Sequence, residues 1–288
     1  MEMMLMNRKR SLLTLTFTCF IFIAFGQREI VPLPKCKNGF IVIAHRGSHL
    51  IKPENSIAAI EEAIELGADY VELDLRTTRD GHLVLIHNET VDHTTNGRGK
   101  IQELNLDEVE KLSLNARDGK LYRLTTFKDA LKVCKNRINI YLDFKAADVQ
   151  QAYHEISAAG MEKQVLVYIN NNTQYKSWRA LAPEMPLMSG LPKKIKTVEE
   201  LHSFLKVMPL EATDHIPNEL PLDAIRENGL SVFLDVQMAD ETPQIWKTAM
   251  DKGIKGVQTD HPAALINYLK TNHLRHGKNA PDTFMKPF

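Results

Sequence analysis

The chain turns on one stretch, Phe40 to His87, which reads FIVIAHRGSHLIKPENSIAAIEEAIELGADYVELDLRTTRDGHLVLIH. Four separated pieces of it carry chemistry: His45-Arg46-Gly47, Pro53-Glu54-Asn55, Glu72-Leu73-Asp74 and His87. Together they supply two imidazoles, one guanidinium and three carboxylates. The apolar run Phe40-Ile41-Val42-Ile43-Ala44 delivers His45 and Arg46 at its end, as a buried parallel strand delivers residues to the carboxyl edge where α/β sheets bind ligands. In the run Tyr70 to Leu75, a period of two sets Glu72 and Asp74 on one face and Val71, Leu73 and Leu75 on the other. Two carboxylates that close need a counterion, or one is forced to take up a proton. A hard divalent cation is the simplest one, and all-oxygen ligation selects calcium, magnesium or manganese over zinc or copper. For an isolated ELD triplet the plainer reading is an ion pair with Arg46 or Arg76, and the surrounding His45, Arg46, Glu54 and His87 turn the reading to the cation.

Working outward, Asn55 is expected to cap a helix running to about Leu66 and stopped by Gly67. Its apolar positions Ile57, Ile60, Ala63 and Ile64 share one face. Strands are expected near 138–143, 165–169, 186–189, 208–213, 230–236 and 254–259. Helices are expected between them near 148–159, 173–182, 197–206, 219–228 and 243–252. With the strands at 40 and 70 the count is eight, which points to an α/β fold of the (β/α)8 TIM-barrel type. Between Leu75 and Leu83 too few residues remain for a parallel crossover, and Asp80-Gly81 signals a turn. Residues 76–87 therefore read as a hairpin off the second barrel strand, with His87 returned to about the level of Glu72. The segment from about 77 to 124 becomes a small insertion before a helix at 126–135.

The order of HRG, PEN, ELD, then Thr77 to Gly81 (TTRDG), Val84 to His87 (VLIH) and Thr94 to Gly99 (TTNGRG) resembles the glycerophosphodiester phosphodiesterase family. The match is continuous over about a quarter of the chain and collinear, though weaker, as far as Pro262. The resemblance implies the same barrel, an insertion over its mouth, a divalent cation, and His45 and His87 as the acid–base pair. It also implies a third carboxylate ligand on the strand that begins at Ile138. The family usually has a glutamate two residues before a lysine there, whereas this chain has Asp143 and Lys145. Aspartate is one methylene shorter, so a water or a small strand shift is expected to make up roughly 1.5 Å.

A phosphodiester gains negative charge as a nucleophile adds, so catalysis requires cationic groups at its non-bridging oxygens: a metal, Arg46 and Lys145. The leaving alkoxide needs a proton and the attacking hydroxyl must lose one. Two histidines titrating near working pH can divide those tasks, although the residues do not say which does which. Glu54 is read as holding Arg46 or supporting the ion's ligands, with a first-turn helix acid as the plainer alternative. Asp235 is a substrate contact or simply a polar strand end, and Asp260 reads as a helix cap. Asn88 stands where the family usually has Asp, His93 where it has Arg, and Leu234 where it has Trp. These departures bear on the alcohol that is accepted. His49, His82, His154, His202, His215, His273 and His276 read as structural or surface residues.

Residues 1–26 carry Arg8, Lys9 and Arg10 followed by an uncharged apolar run of fifteen residues, Ser11 to Phe25. That is shorter than the roughly 20 residues a spanning helix needs. With Ala24 and Gly26 before Gln27, it reads as a cleavable secretory signal, and an uncleaved anchor is the alternative. Export to the periplasm or outside the cell is the expected location, with no stable membrane span after cleavage. Residues 27–288 then form a single barrel domain, of ordinary size for the fold. Lys plus Arg and Asp plus Glu balance at 36 each, so no basic footprint for nucleic acid is visible and the partner is a small glycerophosphodiester. Oligomeric state is not written here. Of the two cysteines past the signal, Cys36 and Cys134 fall near the non-catalytic end of a barrel and could pair in an oxidising compartment.

The expected function is an exported, metal-dependent hydrolase that releases glycerol 3-phosphate and an alcohol. A catalytically silent relative that binds phosphorylated ligands or envelope polymers is the rival, motivated by Asp143 and Asn88. A lyase forming a cyclic phosphate is a third possibility on the same scaffold.

Overall fold

Apolar runs that alternate with helical patterns become strands covered on both faces, and eight of them close into a barrel. The computed structural model describes residues 30–237 and 241–275. The expected signal segment and the tail past Arg275 lie outside the described residues.

In chain order the strands are β1 (Ile41–Ala44), β2 (Tyr70–Thr77), β3 (Leu83–Leu85), β4 (Ser113–Leu114), β5 (Tyr122–Arg123), β6 (Asn139–Ala146), β7 (Val165–Ile169), β8 (Leu187–Met188), β9 (Ala212–Thr213), β10 (Ser231–Asp235) and β11 (Gly256–Thr259). The helices are α1 (Ile57–Leu66), α2 (Leu106–Val109), α3 (Phe127–Cys134), α4 (Val149–Ala159), α5 (Asn172–Leu181), α6 (Val198–Val207), α7 (Leu222–Glu227), α8 (Pro243–Asp251) and α9 (Pro262–Thr271). The parallel barrel runs β1, β2, β6, β7, β8, β9, β10, β11 and back to β1. Closure rests on β1, which pairs β2 through Ile43 with Tyr70 and β11 through Ile41 with Gly256 up to Ala44 with Thr259. A Cβ at Gly256 would lie 2.5 Å from the Ile41 carbonyl oxygen, so the closing strands meet where only glycine fits.

Alternation sorts the side chains. Ile41, Ile43, Tyr70, Tyr141, Leu166, Met188, Ala212 and Phe233 fill the barrel interior. Val42, Val71, Leu73, Ile140, Leu142, Val167 and Val257 face outward and pack against the helices. The same parity carried past the interior layer puts Glu72, Asp74, Asp143 and the residues after β1 and β11 on the inner face at the carboxyl rim.

The hairpin is as expected: β3 pairs β2 antiparallel, Leu75 with Leu85 and Thr77 with Leu83. Residues from Val84 to Leu124 contribute a separate small core of Val84, Ile86, Val91, Ile101, Val109, Leu114 and Leu124. Within it α2 and the β4–β5 hairpin were not anticipated. Elsewhere the expected strands at 186–189 and 208–213 shrink to two residues each, since Pro186 and Pro209 cannot donate to a ladder. The cap of α1 is Ser56, whose side chain accepts from the Ala59 amide, and not Asn55. Cys36 and Cys134 do not pair; both are free thiols, pushed up by burial to about 11 and about 12 respectively.

Candidate active site

The end of β1 is held by two neighbours. The His45 amide donates to the Thr259 carbonyl at 3.1 Å, and the Arg46 amide donates to Oε2 of Glu72 at 2.8 Å. Between them the backbone turns left-handed, with φ of +50° at Arg46 and +83° at Gly47. A Cβ at Gly47 would sit 2.7 Å from the Ala59 side chain and 2.8 Å from its backbone, so the HRG turn requires glycine for both conformation and space. Arg46 is thereby aimed inward. Its Nη1 donates to Glu54 at 3.0 Å and its Nε lies 3.4 Å from Asp74 Oδ2.

Glu72, Asp74 and Asp143 each offer a carboxylate oxygen within 4.8 Å of the others. Asp74 and Asp143 are direct register partners of β2 and β6, and a register shift follows at once, between Asp74 and Arg76. The short side chain of Asp143 therefore does not leave the group. Asn55 pins Asp74: its Nδ2 donates to Oδ2 at 2.8 Å and its Oδ1 accepts from the Asp74 amide at 3.1 Å. Lys145 Nζ lies 2.5 Å from Asp143 Oδ2 and 3.4 Å from Asp74 Oδ1. Burial drives the Glu72 carboxyl well above its ordinary range, and the charges of Asp74 and Asp143 add to that. Arg46 is also shared with Glu54, so four carboxylates, Glu54, Glu72, Asp74 and Asp143, face only two fixed cations, Arg46 and Lys145. The all-oxygen donor set, its mutual spacing and the uncompensated charge fit a hard divalent cation. Arg76, considered as a partner for the ELD carboxylates, instead sends Nε and Nη2 to the His87 carbonyl at 3.0 and 2.8 Å.

His45 Nδ1 meets Asp260 Oδ1 at 2.6 Å, which leaves Nε2 turned toward the acidic group, 3.9 Å from Glu72 Oε2. Burial draws the imidazole below its usual range, and the hydrogen bond to Asp260 opposes that. Asp260 was expected to cap α9. It does not, because His261 occupies the cap position without a side-chain bond. His49, expected to be structural, also belongs here: its Nδ1 meets the His45 carbonyl at 2.7 Å, its Nε2 is 3.6 Å from Asp260 and its ring stands edge-on to that of His45 at 5.5 Å. The Asp260 contact follows from barrel closure, which no local pattern announces, whereas His49 reaches the His45 carbonyl from only four positions along the chain.

His87 lies just past β3. The Ile86 amide donates to the Asp74 carbonyl at 2.9 Å, so the register sets His87 level with Leu73, one residue from the expected Glu72. Its Nδ1 meets Asn88 Oδ1 at 2.9 Å. Asp235 ends β10 as an exposed residue, and its Oδ1 accepts from the Gln237 amide. Its charge acts on Asp214, whose carboxyl burial raises to about 6.

The model of the glycerophosphoryl diester phosphodiesterase family matches residues 45–264. The glycerophosphodiester phosphodiesterase of Caldanaerobacter subterraneus subsp. tengcongensis is 30% identical over 243 residues, covering 80% of this chain and 98% of that protein. One from Bacillus subtilis is 30% identical over 249 residues, covering 77% of this chain and 84% of the relative. Among solved structures, a glycerophosphodiester phosphodiesterase from Agrobacterium tumefaciens aligns with a TM-score of 0.70 at 23% identity, over 79% of this chain and 99% of that one. An Oleispira antarctica phosphodiesterase in complex with its product sn-glycerol-3-phosphate aligns with a TM-score of 0.66 at 21% identity, over 80% of this chain and 96% of that one.

Proposed function

The chain belongs to the glycerophosphoryl diester phosphodiesterase family, and from that premise we propose that this enzyme is an exported, metal-dependent hydrolase of glycerophosphodiesters that releases glycerol 3-phosphate and an alcohol. One observation carries the reading: a carboxylate trio, buried Glu72 and Asp74 with half-buried Asp143, beside two cations and below an imidazole that a carboxylate orients.

Glu72, Asp74 and Asp143 would hold one Ca2+ or Mg2+. Such an ion supplies Lewis-acid stabilisation of charge on the phosphoryl oxygens. Arg46 and Lys145 add fixed positive charge at the same place, and Glu54 keeps Arg46 extended toward it. Asp260 fixes the tautomer of His45 with the proton on Nδ1, so Nε2 presents a lone pair to the site and the imidazolium formed by accepting a proton is stabilised. His45 is therefore assigned the base that deprotonates the attacking water. His87 is assigned the acid: Asn88 Oδ1 accepts from Nδ1–H, leaving Nε2 to protonate the departing alkoxide. Asn88 carries no charge, so it orients His87 without stabilising its cation as Asp260 does for His45.

The amino-terminal segment supports export through a cleaved signal, with the exported chain starting at Gln27. No described helix is long and apolar enough to cross a membrane. The direct test is turnover of glycerophosphocholine followed by phosphorus NMR. Glycerol 3-phosphate should appear, stop on addition of chelator and resume with Ca2+ or Mg2+. A cyclic phosphate as the end product would replace hydrolysis by the lyase reaction, and no turnover of any glycerophosphodiester with either metal would overturn the reading.

A further inference from the structure

Seven large apolar side chains are exposed among the described residues, and three of them, Leu50, Ile51 and Leu121, lie on two loops that are tied together. Scattered single apolar residues need no explanation, but a local group on one rim does. Leu50 and Ile51, 41% and 55% exposed, stand in the loop from Gly47 to Glu54 that follows the HRG turn at the mouth of the barrel. Leu121, 68% exposed, stands at the end of the turn joining β4 to β5. Arg117 Nη1 donates to the Leu50 carbonyl at 3.1 Å, and Lys52 Nζ reaches Asp118 Oδ2 at 3.0 Å and the Tyr122 hydroxyl at 3.3 Å. The two tips are thus one surface beside the active site.

The charge around these tips is one-sided. Asp118 is cancelled by Lys52, and Glu54 is engaged with Arg46. Arg117 spends its hydrogen bond on the Leu50 carbonyl, and Arg123 donates to the Lys111 and Leu112 carbonyls, so neither charge is neutralised there. Lys120 is exposed and makes no ion pair among the described residues. Protruding leucine and isoleucine side chains flanked by uncancelled cations match the boundary of an anionic bilayer, with apolar tips at the acyl level and cations at the phosphates. A protein partner would match the apolar tips equally well but would need its own acidic rim. The three uncancelled cations of this hairpin, Arg117 and Lys120 on the turn and Arg123 on β5, favour a surface whose negative charge is continuous. We propose that the Gly47–Glu54 loop and the β4–β5 hairpin form a docking surface for an anionic phospholipid membrane, holding the open end of the barrel against the lipid.

The test places a reporter on the surface of the full-length chain. Both native tryptophans, Trp178 and Trp246, are buried, so L121W and I51W each add one exposed indole, and V207W adds one at an exposed apolar site on α6. With phosphatidylglycerol vesicles, L121W and I51W should shift their emission to the blue while V207W does not, and phosphatidylcholine vesicles should give a smaller effect. Placing L121W in a K120E/R123E background should raise the vesicle concentration for half-maximal shift by about tenfold or more, because each cation near such a surface is worth roughly fivefold in affinity. L50S/I51S/L121S should keep wild-type turnover of soluble glycerophosphocholine, which also reports that it folds. No shift at either reporter, or an equal shift at V207W, would overturn the proposal. So would a vesicle-free dimer that L50S/I51S/L121S dissolves, since the surface would then belong to a second copy. The emission shifts do not depend on catalysis, so they separate this proposal from the hydrolase reading.

Discussion

Nδ1 of His45 lies 2.6 Å from Oδ1 of Asp260, a residue 215 positions further along the chain. Ala44 and Thr259 are the last register partners of β1 and β11, so the residues that follow them leave the barrel side by side. A carboxylate beside an imidazole at that point fixes which nitrogen carries the proton.

Asp260→Asn should therefore lower kcat by about 10² or more with little change in KM, since the amide no longer stabilises the imidazolium or enforces the tautomer. The pH–rate profile should change shape along with the rate. An unchanged profile at reduced rate would assign Asp260 to structure alone.

His87→Ala should cost about 10² to 10⁴ in turnover of glycerophosphocholine, the usual contribution of a positioned proton donor. On an analogue with a nitrophenolate leaving group, which departs without a proton, most of that loss should vanish. His45→Ala should stay slow on both substrates, and the pair of ratios measured side by side distinguishes acid from base.

Glu72→Gln should weaken calcium and magnesium binding in calorimetric titration by removing a ligand charge, while the Arg46 amide keeps an oxygen to donate to. Unchanged affinity would take Glu72 off the ligand set.

Burial holds the Asp214 carboxyl up at about 6, with one oxygen buried and unpartnered among the described residues. A carboxyl whose folded pKa lies above its unfolded value contributes stability that is whole below about pH 4 and lost as pH rises through about 6. Asp214→Asn should therefore be more stable than the parent at pH 7, by on the order of 1–3 kcal/mol, with the difference closing toward pH 4. Thermal melts at the two pH values measure it.

Arg275 Nη1 pairs with Asp69 Oδ2 at 2.9 Å, both groups buried, on the side of the barrel away from the site. Arg275→Ala strands a buried carboxylate that still accepts from the Val42 amide and Asn38. It should cost about 3 kcal/mol in denaturant titration without altering KM.

Much of this was legible along the chain because it is local. Parity within a strand is a property of consecutive residues, so Glu72 and Asp74 had to share a face, and the seven residues between Leu75 and Leu83, too few for a parallel crossover, had to make a hairpin. The insertion's own secondary structure was less legible, because α2 spans only Leu106–Val109 and the β4 and β5 strands two residues each, too short to show a period. Asn55 carried a cap signal correctly placed to within one residue. Its real work, clamping Asp74, lies across a 19-residue gap that a local rule does not see.

What the amino-acid order determined by itself was the alternation of strands and helices, the inward parity of the ELD carboxylates and the glycine-dependent turn that presents His45 and Arg46, because each depends on neighbours in the chain. The tertiary structure alone decided that Asp260 joins His45 and His49, that Arg76 serves the His87 backbone, that Cys36 and Cys134 stay apart and that two remote loops meet at the rim. The first depends on how a closed sheet brings its first and last strands together, a property of the whole ring, and the others on how the hairpin, the insertion and the far end of the barrel pack, which no short run of residues specifies.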